Sequence, residues 1–278
     1  MSEKSMLLDV DRYKFIEEVE RLLQGVGDFQ LDNFRDLEVQ EEEKEPRELV
    51  SFVDRQSEAL LFEGLTPLFP EAEFWGEETG KRGEADWMWL VDPLDGTTNY
   101  LNHLDQFSIS VALLYKGKPQ FGAVYKPISS EFFHAFKGVG FFHNHKQLIP
   151  RTGHREFRKA MLGTGFPYRS PDLKDPFFTL IEDLMPRCRG IRRFGSAALD
   201  LSYVAAGWLQ GFWESDLQPY DVGAGLLFLE EMGMKATNHK GEAYDMNVDR
   251  MLVTARADVH TELLDRVSHH YGDKDLKF

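Results

Sequence analysis

The chain has 278 residues, of which 42% are hydrophobic and 22 are Phe, enough for one large globular domain or two smaller ones sharing an interface. Its 47 acidic and 32 basic residues give a formal net charge of -15, which argues against a nucleic-acid partner held by a basic stripe. Cys188 is the single cysteine, so an internal disulfide and a cysteine-based zinc cluster are excluded and an idle thiol is expected. No apolar run reaches the roughly 18 to 20 residues of a membrane span, and Met1-Ser2-Glu3-Lys4 does not open like a signal peptide, so a cytoplasmic protein with no membrane contact is expected.

From Asp11 to Leu23 the apolar residues Phe15, Val19, Leu22 and Leu23 fall at helical spacing, which predicts an amphipathic helix ending near Gly25. Glu41 to Arg47 is so charged that it reads as a polar loop without packed structure. A second helix is predicted through Leu60, Leu61, Leu65 and Leu68-Phe69, closed by Pro70, with Ser51 or Asp54 as its cap.

Next comes the most informative stretch, Trp89-Leu90-Val91-Asp92-Pro93-Leu94-Asp95-Gly96-Thr97-Thr98-Asn99-Tyr100. An apolar strand stops at two carboxylates three positions apart, Pro93 fixes the backbone between them, and Gly96 permits a tight turn. Both carboxylates can then point at one spot, and hard oxygen ligands favour Mg²⁺. Gly96 and Thr97 would open a helix whose free N–H groups face an anion, and a metal beside such groups suggests a phosphate. Asp-Gly between apolar residues is also an ordinary hairpin signal, and Asp-Pro a common turn starter. The upstream run Trp75-Gly76-Glu77-Glu78-Thr79 adds a second acidic element, with Glu77 in reach of the same metal. Two carboxylates ~4 Å apart repel by about 4 kcal/mol at an effective dielectric of ~20, so a cluster of this kind calls for a cation.

Phe107 to His143 alternates and turns at Lys116-Gly117-Lys118-Pro119, predicting an antiparallel meander that includes Phe132 to Phe136. After about Pro150 the order becomes strand and helix in turn: Met161 to Phe166, Phe177 to Met185, Ser196 to Ala206, Phe212 to Glu214, Asp221 to Met232, Met251 to Ala255 and Val259 to His270. The expected organisation is an α+β half over residues 1-150, with the meander and most metal ligands, and an α/β half over 151-278, with the site between them. Ser196 reads as a helix cap, Asp221 after Pro219-Tyr220 as an acidic residue at a helix start, and Glu214 as a strand end. The four arginines between Arg187 and Arg193 admit a surface patch, an anion contact or an interface, and the patch is the reading adopted.

The ordered set of Gly76-Glu77-Glu78, the run from Trp89 to Tyr100, Trp213-Glu214 and Asp221 resembles the inositol monophosphatase family, part of the Mg²⁺-dependent, lithium-sensitive phosphatase superfamily, over about Ser51 to Met234. The resemblance implies a layered αβαβα sandwich of the type shared with fructose-1,6-bisphosphatase. It implies that Glu77, Asp92 and the Leu94 carbonyl bind one Mg²⁺, and Asp92, Asp95 and Asp221 a second, with two or three ions in all. Glu77 and Thr97 would be catalytic, orienting the attacking water, with Asp54 close to the metals. Asp95, Gly96, Thr97, Ser196, Ala197 and Glu214 would contact substrate, Glu214 by accepting hydrogen bonds from its hydroxyls. A homodimer acting on a small phosphorylated polyol or sugar, most of all inositol monophosphate, is implied. Relatives that take histidinol phosphate, fructose bisphosphate or phosphoadenosine phosphate mark the enzymatic alternatives. A regulatory protein binding the transcription machinery is the alternative of another class. Tyr220 stands where the family usually has Trp.

Overall fold

The computed structural model describes residues 11–34, 41–45, 48–150, 156–272 and 274–278. Helix α1 (Arg12–Asn33) is capped by Asp11, whose carboxylate accepts from the Tyr13 and Lys14 N–H groups. It runs ten residues past Leu23, so Gly25 does not end it. The reason is packing: a side chain at Gly27 would collide with the Tyr125 ring and Pro127, so glycine lets the helix lie close on the sheet. Strand β1 (Glu41–Glu45) corrects the expected loop, because it pairs antiparallel with β2 (Glu48–Ser51). Backbone pairing supplies there what the charged side chains cannot. Pro46 and Arg47 lie outside the described residues.

Helix α2 (Phe52–Leu68) leads into an eight-stranded sheet. Its strands are β3 (Ala72–Gly76), β4 (Gly80–Arg82), β5 (Trp87–Asp95), β6 (Ser108–Tyr115), β7 (Lys118–Lys126), β8 (Glu131–Phe136), β9 (Gly140–His143) and β10 (Lys146–Leu148), in the order β10-β9-β8-β7-β6-β5-β3-β4. All pairs are antiparallel except β3 with β5, so the predicted meander from Phe107 to His143 is present as β6 to β9. The short helix α3 (Thr97–Leu101) follows β5. The second sheet orders β12 (Gly190–Arg192), β11 (Met161–Thr164), β13 (Gly211–Ser215), β15 (Met251–Ala255) and β14 (Lys235–Thr237). Its helices are α4 (Lys174–Leu184), α5 (Ala197–Ala205), α6 (Pro219–Glu231) and α7 (Ala257–Tyr271).

Side-chain alternation on the strands sorts these elements into layers. On β5, Trp87, Trp89 and Val91 face α1 and α2, packing with Phe15, Val19, Leu23, Leu61 and Leu65. Met88 and Leu90 face the opposite way, toward α5 and α6, where Leu199, Leu201, Val222 and Leu227 share a core with Phe212 and Leu252 of the second sheet. The far side of that sheet, through Leu162, Trp213, Met251 and Val253, is covered by α4 and α7. Helix, sheet, helix, sheet, helix is the αβαβα sandwich that the resemblance implies. No helix among the described residues is long and apolar enough to cross a membrane.

Candidate active site

Every residue of β5 is buried, and its register against β6 slips at the end: Asp92 faces Ser110 and Asp95 faces Ser108, three steps on one strand against two on the other. In a regular strand, residues three apart point to opposite faces. The bulge removes that half-turn and sends both carboxylates to the same cavity. Gln30, at the end of α1, donates to the Pro93 carbonyl (2.7 Å), and its own carbonyl accepts from the Tyr100 hydroxyl (2.7 Å). The extra length of α1 therefore braces the strand end and α3 together.

Gly96 adopts φ +100°, and a side chain there would strike the Gln106 and Gly195 carbonyl oxygens. The turn brings Thr97 back over the strand end. Its hydroxyl lies 2.7 Å from Asp54 Oδ1 and 3.0 Å from the Leu94 carbonyl oxygen, so its one proton is shared between two acceptors. Asp54 itself sits buried in the first turn of α2. One turn further along, Glu58 accepts from the Glu78 N–H (2.7 Å) and the Thr79 N–H (3.0 Å), and so fixes the turn that presents Glu77. Sequence reasoning missed Glu58. Its signal was a carboxylate four residues after Asp54 on the face that also carries Val53, Ser57 and Leu61.

Asp95 Oδ2 accepts from the Ser196 hydroxyl (2.5 Å) and the Ala198 N–H (2.8 Å), and Oδ1 accepts from the Ala197 N–H (3.2 Å). It thus joins the first sheet to the start of α5 and still has a lone pair on Oδ1 for a cation. Ser196, expected to contact substrate, is fully buried, aimed at Asp95, 3.1 Å from the Ser108 hydroxyl, and caps α5 through the Leu199 N–H. Ala197 does line the cavity. Asp221 forms a capping box with Gln218, accepting from its N–H (2.8 Å), and lines the cavity as well, so the cap and a site role coexist.

Glu77, Asp92, Leu94, Asp95, Gly96, Thr97, Glu214 and Asp221 all border one cavity of about 910 Å³. Burial and the neighbouring carboxylates push Glu77 and Asp92 well above the usual carboxylate range. Burial lifts Asp95 to about 6 against its hydrogen bonds, and Asp221 to about 7 with Asp95 adding to the shift. Among the described residues no three Asp, Glu, His or Cys side chains already stand in metal-binding geometry. The donor set, hard oxygens on a shared cavity at high electrostatic cost, fits Mg²⁺.

The arginine run divides. Arg187 pairs with Asp183 (2.8 Å) on the surface, whereas Arg193 borders the cavity, as does Arg169, which sequence reasoning had passed over.

The model of the inositol monophosphatase family matches residues 11–271. The chain belongs to that family. An inositol-1-monophosphatase of Caulobacter vibrioides is 34% identical over 233 residues, 83% of this chain and 91% of the relative. A putative Nus factor SuhB of Neisseria meningitidis is 38% identical over 207 residues, 73% of this chain and 78% of the relative. Among solved structures, the extragenic suppressor protein SuhB of Bartonella henselae superposes with TM-score 0.85 at 30% identity, covering 91% of this chain and 97% of the other. The IMPase of Thermotoga maritima gives 0.84 at 27%, covering 94% and 98%. These family members share the layered fold described above.

Proposed function

We propose that this chain is a Mg²⁺-dependent hydrolase of small phosphate monoesters, with inositol monophosphate or a related polyol or sugar phosphate as substrate. The observation that carries the reading is the bulge that turns Asp92 and Asp95 into one cavity with Glu77 and Asp221. Glu77, Asp92 and the Leu94 carbonyl would hold one ion, and Asp92, Asp95 and Asp221 another, two or three in all. Mg²⁺ bound there supplies positive charge to the phosphoryl oxygens as they gain charge in the displacement.

The chain's own groups do the rest. Thr97 donates its hydroxyl proton to Asp54, which leaves its oxygen lone pairs to accept from the attacking water, with Glu77 on the same water. The N–H groups of Gly96 and Thr97 hold phosphate oxygens. Ser196 holds Asp95 in place rather than touching substrate. Glu214, on β13, accepts from hydroxyls of the alcohol, and Ala197 forms the wall beside it. The same proposal includes a homodimer, which light scattering after gel filtration would read directly.

The test is a phosphate-release screen with and without Mg²⁺ across inositol phosphates, sugar phosphates, fructose bisphosphate, phosphoadenosine phosphate and histidinol phosphate. Metal-dependent release from polyol or sugar esters is expected, and silence on every ester contradicts the reading. Relatives named as Nus factors give a second reading, binding to the transcription machinery. Stoichiometric binding to a purified transcription complex that survives Asp95→Asn would favour it.

A further inference from the structure

The cavity is lopsided in charge. Glu77 and Asp92 lie under one another's influence and that of Asp221. The guanidinium of Arg193 acts instead on Asp95, Asp200 and Glu214, and that of Arg169 on Glu214 and Asp221. Both arginines therefore act on Glu214, where the alcohol part of an ester would sit, and each also reaches one carboxylate of the second metal position, Asp95 or Asp221, while neither acts on Glu77 or Asp92. In a chain of net charge -15 this is an unusual place to find two cations together.

Arg193 is exposed and lies against Gly195, where a side chain would collide with its guanidinium, and it is 5.9 Å from the centre of the Tyr168 ring. Asn99 donates to the Phe194 carbonyl (2.7 Å) and to the Gln106 carbonyl (2.6 Å), which ties the arginine's loop to α3 and hence to the metal-facing turn. A guanidinium present only to neutralise Glu214 would fork onto it. Among the described residues no carboxylate lies within ion-pair distance of Arg193, whereas Asp216, also on the cavity wall, is matched by Arg250 at 2.7 Å. The planar donor set of Arg193 is left open toward the cavity, and such a fork suits phosphate or carboxylate oxygens. At about 910 Å³ the cavity is near the top of the roughly 300 to 1,000 Å³ usual for small-molecule sites, so an ester with a second anionic group has room.

We propose that Arg193 is a specificity-determining residue that selects phosphate esters whose alcohol part carries both hydroxyls and a second anionic group, a phosphate or a carboxylate. The inference rests on the phosphatase reading. Glu214 takes the hydroxyls, Arg193 takes the second anion, and Arg169 adds positive charge beside them.

The experiment measures kcat/KM for four esters with Mg²⁺ present: inositol 1-phosphate and glycerol 2-phosphate, with neutral alcohols, fructose 1,6-bisphosphate for a second phosphate, and 6-phosphogluconate for a carboxylate. The wild type is expected to favour at least one of the last two. Arg193→Ala should cut the ratio of that ester to the neutral pair by roughly tenfold or more, mostly through KM, and Arg193→Lys should restore part of it. Which of the two anionic esters responds tells phosphate from carboxylate. The wild-type preference should also shrink as salt rises from 0.05 to 0.5 M, a readout that needs no variant. A wild type that prefers the neutral esters, or a preference that Arg193→Ala leaves unchanged, overturns the proposal while leaving the phosphatase reading intact. No release from any of the four would overturn both.

Discussion

The carboxylates on the cavity wall that comes from the eight-stranded sheet are held by hydrogen bonds, whereas among the described residues Glu214 and Arg193, on the wall that comes from the five-stranded sheet, are not. On the first, Asp54 holds Thr97, Glu58 holds the turn of Glu77, Asp92 accepts from the Leu94 N–H (3.0 Å), and Asp95 takes three hydrogen bonds from the start of α5. On the second, Glu214 and Arg193 are placed by backbone geometry and by charge, beside the half-exposed aromatics Phe166 and Tyr168. The difference has a physical reason. Like charges must be held against their own repulsion to meet a cation, whereas groups that meet an alcohol need no such restraint. The tied wall is suited to chemistry and the open wall to choice of substrate.

Substitutions on the tied wall should therefore act on turnover and metal, whatever the ester. The largest effect is expected from Asp95→Asn, with phosphate release falling roughly a hundredfold to a thousandfold on all substrates. Asn keeps one oxygen acceptor for the α5 N–H groups, so thermal unfolding should show a cost of only about 1 kcal/mol. A loss confined to polyol esters would move Asp95 to the other wall.

Thr97→Ala should lower kcat by roughly a hundredfold with little change in KM. Because Thr97 and Asp54 are joined by one 2.7 Å hydrogen bond, Asp54→Asn should cost a similar factor and the double variant little more. Additive losses would show that the two act separately.

Glu58 does not line the cavity and acts through the turn of Glu77. Glu58→Gln should raise the Mg²⁺ concentration for half-maximal activity roughly tenfold to hundredfold, with kcat recovering at saturating metal. If kcat fell and the metal requirement did not move, Glu58 would be serving the fold rather than the metal.

On the open wall, Glu214→Gln should weaken hydrolysis of inositol monophosphate by about tenfold to hundredfold, the worth of one charged hydrogen bond, and leave a simple aryl phosphate nearly unaffected. Equal losses on both esters would erase the distinction between the walls.

The tied wall was also the legible one. Asp92, Asp95, Gly96 and Thr97 are neighbours in sequence, so their joint purpose shows in one run of residues, whereas the layers were implied by the family resemblance and not by alternation on the strands. The start of α1 was legible, but its end was not. Gly25 looks like a helix stop until the ring of Tyr125 is seen against Gly27, two residues on. Glu41–Glu45 looked too charged for a strand, because pairing with β2 is a backbone matter that composition does not report. Glu58 and Arg193 were missed or misplaced for a common reason. Each works on partners far off in the chain, Glu58 twenty residues from Glu78 and Arg193 on Glu214 and Asp95, and no local pattern marks such a meeting.

The central claim is that the carboxylates of the tied wall serve as a cation site for phosphate ester hydrolysis. Phosphate release from inositol 1-phosphate, measured on protein stripped with a chelator and then titrated with Mg²⁺, tests it most directly. No release is expected before titration, recovery is expected with added Mg²⁺, and no recovery is expected for Asp95→Asn under the same conditions. Undiminished release from the stripped protein, or full recovery by Asp95→Asn, would contradict it.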